Sequence, residues 1–84
     1  MSNEQKSMQL AEKLVREMNG IPAADPWYYP PESNNRVLLF TLDGKDCNAS
    51  FPLARLEDYK EFEAWVCKRT LQAAIEKCRA PDKS

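Results

Sequence analysis

The chain has 84 residues, so we expect a single domain with no second domain to carry a separate site. Its 12 basic and 13 acidic residues give a net charge of −1, and no overall field attracts a polyanion such as nucleic acid. Hydrophobic residues make up 43% of the sequence, too many for a disordered chain, yet no apolar run is long enough to span a membrane. Because the N-terminus also lacks a secretory signal pattern, we expect a cytoplasmic protein.

Residues 2–19 are predicted to form an amphipathic helix. Its apolar residues recur at steps of three and four: Met8, Ala11, Leu14, Val15 and Met18. Ser2 followed by Gln5 is typical of a capping box, and Asn19-Gly20 is typical of a left-handed helix end. The charged residues of the other side are expected to face water: Glu12, Lys13, Arg16 and Glu17.

Residues 20–35 contain most of the prolines and show no periodicity, which predicts a loop. Trp27, Tyr28 and Tyr29 stand in a row within it. Because large rings are costly to leave in water, we expect them to be buried either by the protein's own core or by a partner. The sequence leaves both alternatives open.

Residues 36–52 predict an antiparallel β-hairpin around Asp43-Gly44, a dipeptide suited to a two-residue turn with positive φ. Such a turn places Phe40 opposite Cys47 and collects the apolar residues on one face: Leu38, Phe40, Leu42, Cys47, Ala49 and Phe51. A shift of one residue would turn the polar residues of the second strand into the core, so the pattern fixes the register.

Residues 55–79 predict a long helix, with a single turn before it at 53–55 and a flexible tail at 80–84. The helix has a broad apolar arc: Leu56, Tyr59, Phe62, Val66, Cys67, Leu71, Ala73, Ala74 and Cys78. Trp65 falls on the polar arc instead, between Glu61 and Arg69. An exposed tryptophan beside an arginine is typical of a protein interface.

These elements predict a small α+β domain of order α-β-β-α, in which the hairpin packs against the long helix with the first helix alongside. Two strands alone are marginally stable in water, so the helices must cover them. The strand at 36–42 is apolar on both faces, and its open edge should be capped by the loop at 20–35 or paired with a second copy.

The chain has three cysteines and no histidine, which matches no structural metal site, and we expect no metal or cofactor. We interpret Cys47, Cys67 and Cys78 as buried free thiols of a reducing compartment. A disulfide between Cys67 and Cys78 is excluded if both lie on one straight helix, because the eleven steps of about 1.5 Å from one to the other span roughly 16 Å.

The sequence offers no catalytic residue that we would name. A histidine base is impossible without histidine, and the acidic residues Glu57, Asp58, Glu61 and Glu63 are accounted for by the preference of acids for helix starts. We therefore predict a non-enzymatic module, a small regulator, adaptor or inhibitor, that binds another protein. Its predicted contact residues are Trp27, Tyr28, Tyr29, Glu61, Trp65 and Arg69.

Two alternatives remain at this point. The first is a nucleic-acid-binding regulator that uses the basic half of the last helix: Lys68, Arg69, Lys77 and Arg79. The second is a self-associating structural protein, a homodimer joined through the hairpin edge.

Overall fold

The computed structural model describes residues 2–79, with residues 65–68 and 79 described by their backbone alone; the tail predicted at 80–84 lies outside the described residues. The elements in chain order are α1 (Asn3–Glu17), β1 (Ile21–Tyr28), β2 (Asn35–Leu42), β3 (Lys45–Pro52), α2 (Leu53–Glu57), α3 (Tyr59–Glu61), a π-helical turn (Phe62–Val66) and α4 (Cys67–Arg79). The strands form one antiparallel sheet of order β1-β2-β3. The predicted α+β class is confirmed.

The start and end of α1 follow from local chemistry. The Ser2 hydroxyl accepts a hydrogen bond from the backbone N–H of Gln5 at 3.2 Å, as the predicted capping box requires. Asn19, with φ of 68°, takes the left-handed conformation after the helix. Gly20 is needed for a different reason, because a Cβ atom there would lie 2.6 Å from Cγ1 of Val15.

A strand, not a loop, occupies the first half of the segment 20–35. Ile21 lies opposite Thr41 and Tyr28 lies opposite Val37, so β1 covers the edge of β2 that was predicted to need a cap. Between these pairs, residues 23–26 bulge away from the ladder, where β2 has Leu39 alone. The prolines fit because an edge strand with a bulge does not need every N–H group for the sheet.

The hairpin of β2 and β3 has the predicted register. Phe40 lies opposite Cys47, Leu38 opposite Ala49, and the other pairs follow in step. The two turn residues, Asp43 and Gly44, have φ angles of 53° and 79°, as a two-residue turn of this twist demands. This part of the fold is confirmed in detail.

The predicted single helix over 55–79 is wrong, because the chain breaks at Asp58. Its backbone leaves helical geometry, with φ of −103° and ψ of 79°, and α2 ends there. The Asp58 carboxylate then accepts a hydrogen bond from the N–H of Glu61 at 3.4 Å and starts α3. Aspartate favours this capping role over an interior helix position, since it satisfies an N–H group that has no partner within the helix.

The helices pack on one face of the sheet, and we call this the covered face. The buried core lies between the two layers: Ala11, Val15, Leu38, Phe40, Leu42, Cys47, Ala49, Phe51, Leu56, Phe62, Leu71 and Ile75. The ring of Phe51 lies 5.4 Å from the ring of Phe62 and 6.1 Å from that of Trp27. No helix among the described residues is long and apolar enough to cross a membrane.

A buried hydroxyl joins α1 to α2. Ser7 is fully buried, and its Oγ donates a hydrogen bond to the backbone carbonyl of Leu56 at 2.7 Å. Leu56 lies in the last turn of a five-residue helix, where carbonyl groups have no intrahelical donor. Ser7 therefore satisfies a carbonyl that the break at Asp58 would leave without a partner.

We predict that Ser7→Ala lowers the free energy of unfolding by about 1–3 kcal/mol, because the carbonyl of Leu56 stays buried after its donor is lost. Urea unfolding followed by circular dichroism measures the change. Ser50→Ala, on an exposed position of β3, is the matched control and should change stability by less than about 0.5 kcal/mol. Equal effects of the two substitutions would contradict the assigned role of the buried hydroxyl.

Candidate functional site

The sheet has a second face that no described helix covers, and we call this the open face. Because side chains alternate along a strand and paired residues share a face, the register defines its members. They are Ile21, Tyr28, Asn35, Val37, Leu39, Thr41, Asp46, Asn48, Ser50 and Pro52. The residues that alternate with them on β2 and β3 supply the core.

Large apolar side chains on the open face remain in contact with water. Ile21 is 68% exposed, Tyr28 52% and Leu39 36%. They come from both β1 and β2, which places them on adjoining strands of one surface. Single exposed apolar residues are ordinary, but a group of them on one uncovered sheet face is typical of a contact surface.

The bulge in β1 shapes a depression on this face. The depression has a volume of about 350 Å³ and is lined by Ala23, Leu39, Phe40, Thr41, Asp46, Cys47 and Asn48. Ala23 belongs to the segment that leaves the ladder, so the bulge forms one wall and β3 forms the other. The depression is large enough to accept one large side chain.

A second depression, of about 420 Å³, lies between the end of α1 and α4 and is lined by Met18, Gln72, Ile75 and Glu76. Its lining is more polar than that of the open-face depression, and Ile75 is itself nearly buried. None of the most exposed large apolar residues lies in it. It is therefore the weaker candidate for a contact surface.

Charge on the open face is acidic. Within the described sheet, Asp46 is the one charged residue among the open-face positions. Arg36 points to the covered side, where its Nε lies 3.2 Å from a carboxylate oxygen of Glu4 and its guanidinium lies 4.5 Å from the ring centre of Tyr29. The open face thus combines an apolar half with a carboxylate at the β3 side.

Trp27 belongs to the protein's own core. Its indole N–H donates a hydrogen bond to Glu12 at 2.8 Å, and its ring packs near Phe51. The prediction that Glu12 simply faces water is therefore wrong: the carboxylate is half-buried and holds β1 against α1, while keeping a longer contact of 3.8 Å with Arg16. Nothing in the proline-rich sequence around Trp27 indicates that its indole N–H bonds to Glu12.

The six contact residues predicted from the sequence do not form one surface. Tyr28 lies on the open face, whereas Tyr29, equally exposed at 51%, lies beside Arg36 on the other side. Glu61 forms a 3.0 Å ion pair with Arg55. Arg69 is exposed on α4, and the side chain of Trp65 lies outside the described residues. Ile21 and Leu39 are not among the predicted contact residues. Ile21 falls in the segment predicted to be a loop, and Leu39 lies on the outer face of the predicted hairpin without a contact role.

The interpretation of all three cysteines as free thiols is wrong for two of them. Cys47 and Cys78 form a disulfide that joins β3 to α4, with their Cα atoms 5.9 Å apart. Cys47 and Cys78 meet because α4 packs beside β3, a proximity that residue spacing along one helix does not reveal. The side chain of Cys67 lies outside the described residues.

The described part of the chain shows few groups arranged for metal binding or for proton transfer. No group of three or more potential metal ligands occurs among the residues the structure describes. The Tyr59 hydroxyl donates a hydrogen bond to Glu63 at 3.1 Å, and this bond, with the nearby negative charge, raises the pKa of Tyr59 above its ordinary value of 10.0. A raised pKa keeps the phenol protonated, which does not favour a general base at neutral pH.

Comparison with known proteins adds no assignment. No protein-family model matches the chain, and searches of curated proteins and of solved structures found no match either.

We predict that Glu12→Ala lowers the free energy of unfolding by about 1–2 kcal/mol, because the indole N–H of Trp27 loses a charged acceptor in a half-buried site. In NMR spectra, the indole N–H resonance of Trp27 should move toward its value in water. Arg16→Ala is the matched control, since it removes the longer contact to Glu12 and leaves the indole bond intact. An unchanged indole resonance in Glu12→Ala would contradict the assignment.

Proposed function

We propose that the chain is a non-enzymatic protein-binding module that uses the open face of its sheet. The observation that carries the proposal is the exposure of Ile21, Tyr28 and Leu39 on one uncovered face. Binding a partner would remove these side chains from water, at a gain of about 25 cal/mol for each Å² of apolar surface. A role as a small regulator, adaptor or inhibitor needs no more chemistry than this.

The partner we propose is a segment of another protein that carries apolar side chains next to a lysine or an arginine. The apolar residues would lie on Leu39 and Tyr28, and the stem of the basic residue would cross the depression toward Asp46. Charge complementarity supports this choice, since the open-face strand positions hold one carboxylate and no cation.

The size of the face supports a segment over a second copy of the chain. Strands of eight residues at about 3.3 Å each, in three rows about 4.8 Å apart, give a flat footprint of roughly 380 Å². A standard stable interface buries about 800 Å² on each partner. The footprint of this face is well below that area, which makes the face small for a stable pair of copies held together by it alone.

A cytoplasmic location also remains part of the proposal, on the composition arguments given above. In that compartment disulfides are rare, and those that form are usually transient or redox-sensing. The Cys47–Cys78 bond would then be a labile feature of the protein and not a permanent brace.

Selection from a random peptide library on the folded protein tests the proposal. We expect enriched peptides to combine apolar and basic residues and to shift the amide NMR resonances of Tyr28, Leu39 and Asp46. Tyr28→Ala should weaken the selected peptides at least fivefold, because truncating a central aromatic contact typically costs more than about 1 kcal/mol. Asp46→Asn should weaken the peptides that carry a lysine or arginine by about threefold.

Tyr29→Ala is the matched control for Tyr28→Ala, because the two tyrosines are adjacent and equally exposed but lie on opposite sides of the sheet. It should change affinity by less than twofold. Resonance shifts confined to Glu61 and Arg69 would move the site to the helices and contradict the proposal. Steeply salt-dependent oligonucleotide binding would favour the nucleic-acid alternative, and a concentration-dependent dimer in sedimentation would favour self-association.

A further inference from the structure

We propose that the Cys47–Cys78 disulfide is a reversible thiol-exchange site, at which the Sγ atom of Cys78 is attacked by a small thiol or dithiol reductant. Reduction releases the C-terminal end of α4 from β3. The use of this change to control the open face rests on the proposed function, whereas the exchange itself does not.

The disulfide lies at a groove that solvent can enter. The groove has a volume of about 170 Å³ and is lined by Asp46, Cys47, Asn48, Ala74, Lys77 and Cys78. It opens between the end of α4 and β3, so a thiol can approach without unfolding of the core. Lys77 offsets the carboxylate of Asp46 at this groove, so the approach of a negatively charged thiolate is not opposed there.

The two sulfur atoms differ in access. Cys47 is 5% exposed and belongs to the core, whereas Cys78 is half-buried at the last turn of α4. Because access decides which sulfur is attacked, the thiolate forms a bond to Sγ of Cys78. The Cys47–Cys78 bond breaks, its electron pair leaves on Sγ of Cys47, and that thiolate takes a proton from water.

A second thiol completes the reaction. It attacks the sulfur of the first reductant thiol in the mixed disulfide, and Cys78 leaves as a thiolate that is protonated in turn. In sum, the protein disulfide gains two electrons and two protons, and two reductant thiols become a disulfide. A dithiol such as dithiothreitol, or two molecules of glutathione, supplies this stoichiometry.

Backbone carbonyl oxygens that can accept hydrogen bonds lie near both cysteine sulfurs. Sγ of Cys47 lies 3.6 Å from the carbonyl oxygen of Lys45, and Sγ of Cys78 lies 3.8 Å from that of Asp46. In the disulfide these sulfurs have no proton to donate. After reduction the Cys47 thiol can donate a weak hydrogen bond to Lys45 within β3, and the Cys78 thiol, once α4 is released, is hydrated and returns to Asp46 when α4 docks again. Reduction therefore leaves no buried donor unsatisfied, and the exchange can run in both directions.

Release affects a short part of the chain that borders the open face. Among the side chains of α4 that the structure describes, Ile75 is the last buried one, and beyond it Cys78 ties the helix to β3 through the disulfide. Asp46, Cys47 and Asn48 line both this groove and the open-face depression. The disulfide thus holds the β3 wall of the proposed binding site.

Timed reduction of the native protein by dithiothreitol, followed by acid quench, alkylation and mass spectrometry, tests the exchange. We expect native reduction to be at most about tenfold slower than reduction of the urea-unfolded chain. Ser7→Ala supplies the decisive control. If reduction required global unfolding, this destabilised variant would be reduced about fivefold faster or more, and that result would overturn the proposal.

Reaction with glutathione identifies the attacked sulfur. We expect the mixed disulfide on Cys78, formed about threefold more slowly in Lys77→Gln and at an unchanged rate in Cys67→Ser. An adduct found on Cys47 would contradict the assignment of the attacked atom.

NMR tests the release of α4. Amide resonances of residues 46–48 and 76–78 should shift on reduction and return on reoxidation, while those of residues 36–38 stay in place. Unchanged resonances at 76–78 after complete reduction would overturn the release of α4.

Discussion

The ring of Phe51 connects every layer of this small fold. It is fully buried, it packs against Phe62 of the C-terminal helical segment, and it lies near Trp27 of the edge strand. Through Trp27 and its bond to Glu12, the same cluster reaches α1. Two strands alone would be marginal, so the hairpin is stabilised where the third strand and the C-terminal helical segment both reach one point of its core. Phe51 is that point, and its place follows from the alternation of β3.

The hairpin could be predicted from the sequence because its information is local. Alternating apolar residues and the Asp43-Gly44 turn determine the register without help from distant contacts. Strand β1 could not be predicted in the same way, since its stability comes from pairing with β2 and from the anchoring of Trp27 to α1. Propensity rules count its prolines against a strand, and tertiary contacts override them at a sheet edge.

The rest of the candidate site depends on contacts that are distant in sequence. Ile21 and Leu39 become neighbours on a surface only when β1 joins the sheet, and the disulfide becomes possible only when α4 packs beside β3. The break at Asp58 carried a readable signal, because aspartate is a strong capping residue, but the apolar arc on both sides of it favoured one continuous helix. The described helices all pack on one face of the sheet, and the exposed apolar residues Ile21, Tyr28 and Leu39 lie on the other.

The bulge at residues 23–26 has a consequence for how the protein behaves in a crowded solution. An outer strand with a regular row of free peptide groups is a template on which further chains add and fibrils grow. Here the row is interrupted by the bulge, and neither Pro22 just before it nor Pro26 at its end has an N–H group to offer. The bulge and prolines that make β1 hard to predict from the sequence therefore also keep strands of other chains from pairing with this edge of the sheet.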